Sequence, residues 1–211
     1  MISIIDYDAG NIKSVEKAIE FLGEEVEITS DKEKILASDG VILPGVGAFG
    51  VAMEKLHSRN LVETIKEYAK TGKPFLGICL GLQLLFDESD ETPGVKGLGL
   101  LEGKIKRIPS EYEDGTILKV PHIGWNSIDI NPSRKLMKGI PSDSYVYFVH
   151  SFYLEAANLS DVIATTEYGV KIHAAVERDN IMATQFHPEK SSDVGLKILS
   201  NFIAMTKEEG K

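Results

Sequence analysis

Across 211 residues the chain holds a single cysteine, Cys79, and a single tryptophan, Trp125. One cysteine excludes an internal disulfide, so the thiol fits a reducing cytosol. Long apolar runs are also missing. Nothing approaches the ~20 residues that a membrane-spanning helix needs. The opening Met1-Ile2-Ser3-Ile4-Ile5-Asp6 has neither the basic flank nor the apolar stretch of a signal peptide. Basic charge is in deficit, with 23 Lys and Arg against 32 Asp and Glu and a net charge of −9, which argues against nucleic acid as a main partner. No repeat, linker or low-complexity stretch interrupts the chain. What remains is a 43% apolar content, enough for a packed core, in a length that suits one domain spanning 1–211.

The first half alternates strand and helix signals. Residues 3–5 read as a short buried strand. Asn11 then caps a helix in which Ile12, Val15, Ile19 and Leu22 form an apolar stripe, and Gly23 ends it. Residues 26–29 alternate like a strand, and 41–43 form a third, closed by Pro44-Gly45. Asn60 and Glu63 make a capping pair for a helix through Ala69. The run 74–78 leads into Cys79, and a helix over 80–86 leads out. This order predicts an α/β fold, a mainly parallel central sheet flanked by helices on both faces. After about Gly97 the texture changes to short β-rich runs at 103–108, 125–130, 145–154, 162–167, 172–177 and 181–185, which predict an additional small antiparallel β region. A last helix covers 193–205, and the tail 207–211 is expected to fray.

The chemistry concentrates in three places. In Gly77-Ile78-Cys79-Leu80-Gly81-Leu82-Gln83 the cysteine stands between a strand and a helix with glycine two residues to either side. Small residues permit the strained turn of a nucleophile elbow, and a helix N-terminus favours a thiolate and an oxyanion. The bland alternative is a buried structural cysteine. In Gln185-Phe186-His187-Pro188-Glu189, His187 supplies a base and Glu189 its orienting acceptor if Pro188 fixes the turn between them. Taken alone, that segment reads as an ordinary loop. Zinc held by Cys79, His187 and Glu189 fits no common ligand spacing. In Pro44-Gly45-Val46-Gly47-Ala48-Phe49-Gly50, the glycines let backbone N–H groups approach a ligand and complete an oxyanion hole with the amide of Leu80. A phosphate cradle is disfavoured, since neither a Walker lysine nor Gly-x-Gly-x-x-Gly is present. Among the acidic residues Asp87, Glu88, Asp90 and Glu91, most read as a solvated face, and one carboxylate is available for an ammonium group.

Asp6-Tyr7-Asp8-Ala9-Gly10-Asn11, the 44–50 loop, the 77–83 elbow, Pro121-His122-Ile123-Gly124-Trp125-Asn126, the 147–152 run and the 186–191 segment occur in this order. Together they make nearly the whole chain resemble the triad-type, class I glutamine amidotransferases. The Asp8-Ala9 pair stands where relatives often carry glycine. Pro-His-x-Gly-Trp-Asn and His-Pro-Glu-Lys-Ser resemble the branch that works beside a (β/α)8-barrel cyclase subunit in histidine biosynthesis. The resemblance implies a flavodoxin-like core and a cytoplasmic heterodimer without cofactor or metal. L-glutamine would be the substrate, with neither nucleic acid nor membrane as partner. It further implies that Cys79 attacks the glutamine amide, His187 moves the proton and Glu189 orients His187. Val46, Gly47 and Leu80 would form the oxyanion hole. Gly47, Gln83, Glu91, His150, Ser151 and Phe152 would hold glutamine, and Asn11, Trp125, Tyr147 and Lys190 would meet the partner. The rival readings are another amidotransferase's glutaminase, a stand-alone thiol hydrolase and a catalytically silent flavodoxin-like binding module.

Overall fold

The computed structural model describes residues 1–112 and 114–208. Strand β1 (Ile2–Ile5) is buried along its whole length, as a central strand covered on both faces must be. Helix α1 (Ile12–Phe21) packs Ile12, Val15, Ala18 and Ile19 inward, on the predicted stripe. Strand β2 (Val26–Thr29) lies at the sheet edge and is only partly buried. A short helix, α2 (Lys32–Ala37), follows; its N-cap Asp31 accepts from Lys34 N at 3.1 Å, and only Ile35 is buried. This helix has too little periodicity to announce itself in the sequence. Strand β3 (Gly40–Gly45) leads to α3 (Phe49–Ser58) and α4 (Leu61–Ala69), and β4 (Phe75–Cys79) runs directly into α5 (Leu80–Leu84).

The later strands are β5 (Glu88–Ser89), β6 (Gly103–Arg107), β7 (His122–Ile130), β8 (Ser144–His150), β9 (Phe152–Ala156), β10 (Val162–Glu167), β11 (Lys171–Arg178) and β12 (Ile181–Thr184), before the closing helix α6 (Ser192–Glu208). One nine-stranded sheet has the order β2-β1-β3-β4-β12-β11-β10-β7-β8, and a three-stranded sheet has the order β5-β6-β9. Pairing is parallel from β2 through β12 and antiparallel from β12 to β8. The α/β class therefore stands as expected, and most of the short β-rich runs extend the main sheet. Only β6 and β9, with β5, build the small one. The run expected over 145–154 divides at Ser151, where the chain leaves the main sheet at β8 and enters the small sheet at β9.

Apolar side chains fill both faces of the large sheet, under α1 and α6 on one side and under α3, α4 and α5 on the other. The carboxyl ends of β1, β3, β4 and β12 open at one edge, where an open α/β sheet presents its ligand crevice. Two capping expectations are corrected. Asn11 (φ 71°) and Asn60 (φ 56°) occupy the N-cap positions of α1 and α4 in left-handed conformation, and neither side chain caps its helix. Asparagine tolerates that backbone better than most residues, but the geometry turns its side chain away from the first-turn N–H groups. The frayed tail is corrected in part: Lys207 lies within α6 and pairs with Glu24 at 2.6 Å. Residues 209–211 lie outside the described residues.

Candidate active site

Cys79 takes φ 54° and ψ −107°, a backbone state that non-glycine residues rarely adopt. The flanking glycines explain how the turn closes. A Cβ on Gly81 would sit 1.8 Å from Leu43 O of β3, and one on Gly77 would meet Gly81 O at 2.9 Å. The first turn of α5 is thus pressed against two strands, which leaves no room for a side chain. The cysteine is 6% exposed, at the wall of a cavity of about 290 Å³. Tyr7 is buried beside the elbow and donates to Pro44 O at 2.8 Å. Burial first, and the neighbouring Cys79 second, push its phenol well above the ordinary range.

Strand β12 runs parallel to β4 with Thr184 opposite Ile78, so the residues after β12 emerge beside Cys79. His187 and Glu189 are brought together there, with Nδ1 and Oε1 2.7 Å apart and both side chains essentially inaccessible. Pro188 opens the single helical turn that carries Glu189, with His187 immediately before it. Burial opposes a proton on His187, but the adjoining Cys79 and Glu189 outweigh it and push the imidazole up to about 9. Asn11, 178 residues away, donates its amide to the same Glu189 Oε1 at 2.6 Å and lies 3.4 Å from His187 Nδ1. Among the described residues, His187 Nε2 and Glu189 Oε2 are the buried side-chain nitrogen and oxygen atoms left without a hydrogen-bond partner.

A second polar system reaches the sulfur through Gln185. Gln83 Nε2 donates to Phe152 O and to Gln185 Oε1, each at 3.1 Å, and Gln185 Nε2 reaches Cys79 Sγ at 3.8 Å. His150 Nδ1 donates to Phe152 O at 2.8 Å, and its Nε2 meets His122 Nδ1 at 3.1 Å. A carbonyl only accepts, so His150 carries its proton on Nδ1, and the proton between the rings belongs to His122. Asn126 Nδ2 is 3.4 Å from His122 Nε2, on the accepting side of that ring. Desolvation holds both rings neutral, with His122 pushed down to about 4 and His150 to about 3.

The cavity is lined by Val46, Gly47, Leu80, Gln83, Glu91, His150, Ser151 and Phe152 with Cys79, so the residues expected to stabilise the oxyanion and hold substrate share one cavity. Gly47 has φ 100°, which an L side chain strains to adopt. Glu91 Oε2 accepts from Phe49 N at 2.7 Å and so anchors the start of α3, immediately after the glycine loop. Both nitrogens of His150 are engaged within the protein, so this side chain contributes a wall rather than a free hydrogen bond. Three of the residues expected at a partner surface cluster outside the cavity. Trp125 is 52% exposed, its ring packs edge-on to Tyr147 with centroids 6.2 Å apart, and Lys190 Nζ stands 6.0 Å from the Tyr147 ring. The fourth, Asn11, turns its amide inward to the Glu189 carboxylate. Tyr147 also ties this surface to the histidine loop: its O accepts from His187 N, and its N donates to Ser191 Oγ, both at 3.0 Å. Among the described residues no group of three or more His, Cys, Asp or Glu is placed to hold a metal ion, and no helix is long and apolar enough to cross a membrane.

Sequence reasoning did not single out Gln185 or the His122–His150 contact. Gln185 carried one usable signal, an amide at the end of an apolar strand two residues before the candidate base. The histidines are cross-strand partners in β7 and β8, legible only once the register is known.

The family described as "Glutamine amidotransferase class-I" matches residues 3–205. A curated relative from Syntrophotalea carbinolica, named "Imidazole glycerol phosphate synthase subunit HisH", is 50% identical over 203 residues, covering 96% of this chain and 98% of the relative. A relative of the same name from Methanothermobacter thermautotrophicus is 51% identical over 203 residues, with coverage of 96% and 98%. Among solved structures, one titled a glutamine amidotransferase superposes with a TM-score of 0.76 at 17% identity, covering 98% of each chain. A glutamine amidotransferase from Thermotoga maritima gives 0.64 at 18% identity, covering 99% of this chain and 82% of its own. At such identities the structural matches speak for the fold alone.

Proposed function

The chain belongs to the class I glutamine amidotransferases, and from that premise we propose how its residues perform the work of the glutaminase subunit of imidazole glycerol phosphate synthase. The observation that carries the reading is the meeting of Cys79, on a strained elbow, with an imidazole that Glu189 holds at 2.7 Å and whose Nε2 is otherwise unengaged. Cys79 Sγ attacks the side-chain amide carbon of L-glutamine, and the C=O electron pair moves onto oxygen. As the C–N bond breaks, His187 Nε2 gives its proton to the leaving nitrogen, ammonia departs, and a glutamyl thioester remains. Water then adds to the thioester carbon while His187 takes its proton. The C–S bond breaks, its electron pair returns to sulfur, and glutamate leaves. Glu189 keeps the imidazole in register and stabilises its charge.

The backbone N–H groups of Leu80 and of the Val46–Gly47 loop serve the oxyanion. One such donor is worth ~10²–10³-fold in turnover, comparable to the ~10²–10⁴-fold of the base. Glu91 has one oxygen committed to Phe49 N and the other for the substrate ammonium. Gln83 donates inward through Nε2, so its Oε1 is the atom left for substrate. Gly47, Ser151, Phe152 and the His150 ring complete the enclosure. The surface cluster of exposed Trp125 and Lys190 with half-buried Tyr147 receives a (β/α)8-barrel cyclase subunit, to which the ammonia passes to yield imidazole glycerol phosphate and aminoimidazole carboxamide ribonucleotide. A free catalytic thiol suits a reducing compartment, so the cytoplasm belongs to this reading.

The test is glutamate release from glutamine by the chain alone, with the cyclase subunit, and with that subunit carrying its nucleotide ligand. Hydrolysis that rises on addition of the partner and vanishes in Cys79→Ser supports the proposal. Equal rates in all three mixtures would remove the partner from it, and hydrolysis surviving in Cys79→Ser would remove the nucleophile.

A further inference from the structure

We propose that the Gln185 side-chain amide is a fixed hydrogen-bond donor to the Cys79 sulfur, with its direction set from the Phe152 carbonyl through Gln83. This rests on the reading of Cys79 as the nucleophile and adds a positioning residue to it. The argument is one of polarity. Phe152 O has two lone pairs and takes a donor on each, His150 Nδ1 at 2.8 Å and Gln83 Nε2 at 3.1 Å. Turning the Gln83 amide over would set oxygen against oxygen, so Gln83 must present Nε2 on this side. The second hydrogen of Nε2 points at Gln185, which must answer with Oε1, as it does at 3.1 Å. Oxygen and nitrogen lie at opposite corners of the Gln185 amide, and its NH2 is therefore left facing Sγ at 3.8 Å. Gln185 is fully buried and Gln83 nearly so, at 0% and 5% exposure, so no solvent is at hand to replace a misdirected partner.

The consequence is chemical. A donor aimed at sulfur favours the thiolate over the thiol. It also holds the sulfur by a contact separate from the imidazole, at 3.8 Å from the Gln185 amide. Gln185 stands at the end of β12, two residues before His187, and its backbone N is held by Ala174 O at 2.8 Å. One short segment thereby supplies both the base and the donor.

The experiment measures the alkylation rate of Cys79 by iodoacetamide across pH in the unsubstituted chain, in Gln185→Glu and in Gln185→Met. Neither glutamine nor the partner is required. A failure of the glutaminase reading would appear as absent hydrolysis and would leave this readout standing. Glutamate replaces a donor with an acceptor, and its alkylation midpoint is expected to move up by about one pH unit or more, with a rate ~10-fold lower below the midpoint. Methionine keeps the bulk without the donor and is expected to move the midpoint up by less. Unchanged midpoints in both folded variants, or faster alkylation in Gln185→Glu, would overturn the proposal. Should neither variant fold, the ¹⁵N side-chain amide resonance of Gln185 is compared between the unsubstituted chain and Cys79→Ala. Displacement is expected, and an unmoved resonance overturns the idea.

Discussion

The two polar systems that flank Cys79 differ in how complete they are. On one side Gln83, Gln185, His150, His122 and the Phe152 carbonyl satisfy one another, and both histidines are held neutral. On the other side His187 and Glu189 are equally buried, yet each keeps an unpartnered atom, and His187 is held protonated. An unmet buried polar group costs roughly 1–3 kcal/mol, so the open side is the destabilised one. The difference separates a frame from a working part. The closed system fixes positions before substrate arrives, and the open one keeps free the atoms that must exchange protons.

Breaking both sides at their shared atom has the largest expected effect. Cys79→Ser should fold and lose glutamine hydrolysis by at least ~10⁴-fold, read by glutamate release beside a melting curve. The open side comes next. His187→Ala should lose ~10²–10⁴-fold in kcat. Glu189→Gln should lose less and alter the pH–rate profile, because it keeps a hydrogen bond and drops the charge. An unchanged kcat in His187→Ala would mean that the open atoms are not the working ones. A smaller effect is expected at the rim of that side. Asn11→Ala removes the second donor on Glu189 Oε1, and charge-assisted hydrogen bonds of this kind are worth ~1.5–3 kcal/mol. The expected result is a kcat about 10-fold lower with KM unchanged, and Asn11→Asp should be worse because it adds a like charge. A change in KM alone would mean that Asn11 does not act through Glu189.

The smallest effect separates the two sides by sign. His122 and His150, depressed to about 4 and about 3, stay neutral in the folded chain while their unfolded counterparts take up protons below ~6.5. Their contribution is therefore complete above that pH and is lost as pH falls. His187, raised to about 9, behaves oppositely. Its contribution is complete below ~6.5 and is lost as pH rises through about 9. Urea midpoints measured from pH 4 to 9 should peak near ~6.5. His150→Gln should flatten the acid limb and His187→Ala the alkaline one. Midpoints that climb steadily below pH 6 would contradict the assignment of neutral histidines.

Much of this arrangement was legible in local sequence because its causes are local. The Gly77 and Gly81 spacing predicts a turn too tight for side chains, and the clash of a Gly81 Cβ with Leu43 O is the reason in three dimensions. The apolar run before Cys79 reads as a strand, which β4 is, buried along its whole length. Contacts between distant segments were not legible. Asn11 looks like a helix cap because asparagine before an amphipathic stripe usually is one. Its left-handed backbone and the carboxylate of Glu189 claim the side chain instead. The same limit hid the role of Gln185, whose direction depends on a carbonyl in β9. It also hid the joining of β7 and β8 to the main sheet, which is set by pairing with β10.

The solitary thiol has a further consequence, for chemical wear. Cys79 borders a cavity open to small molecules, so a peroxide that enters it meets the thiol directly. A sulfenic acid is normally rescued by condensation with a neighbouring thiol, and these 211 residues contain no other cysteine. Reversal must then come from an external thiol small enough to follow the oxidant in, and the next oxidation step, to sulfinic acid, is permanent. The confinement that protects the nucleophile between turnovers thus also limits which reductants can repair it.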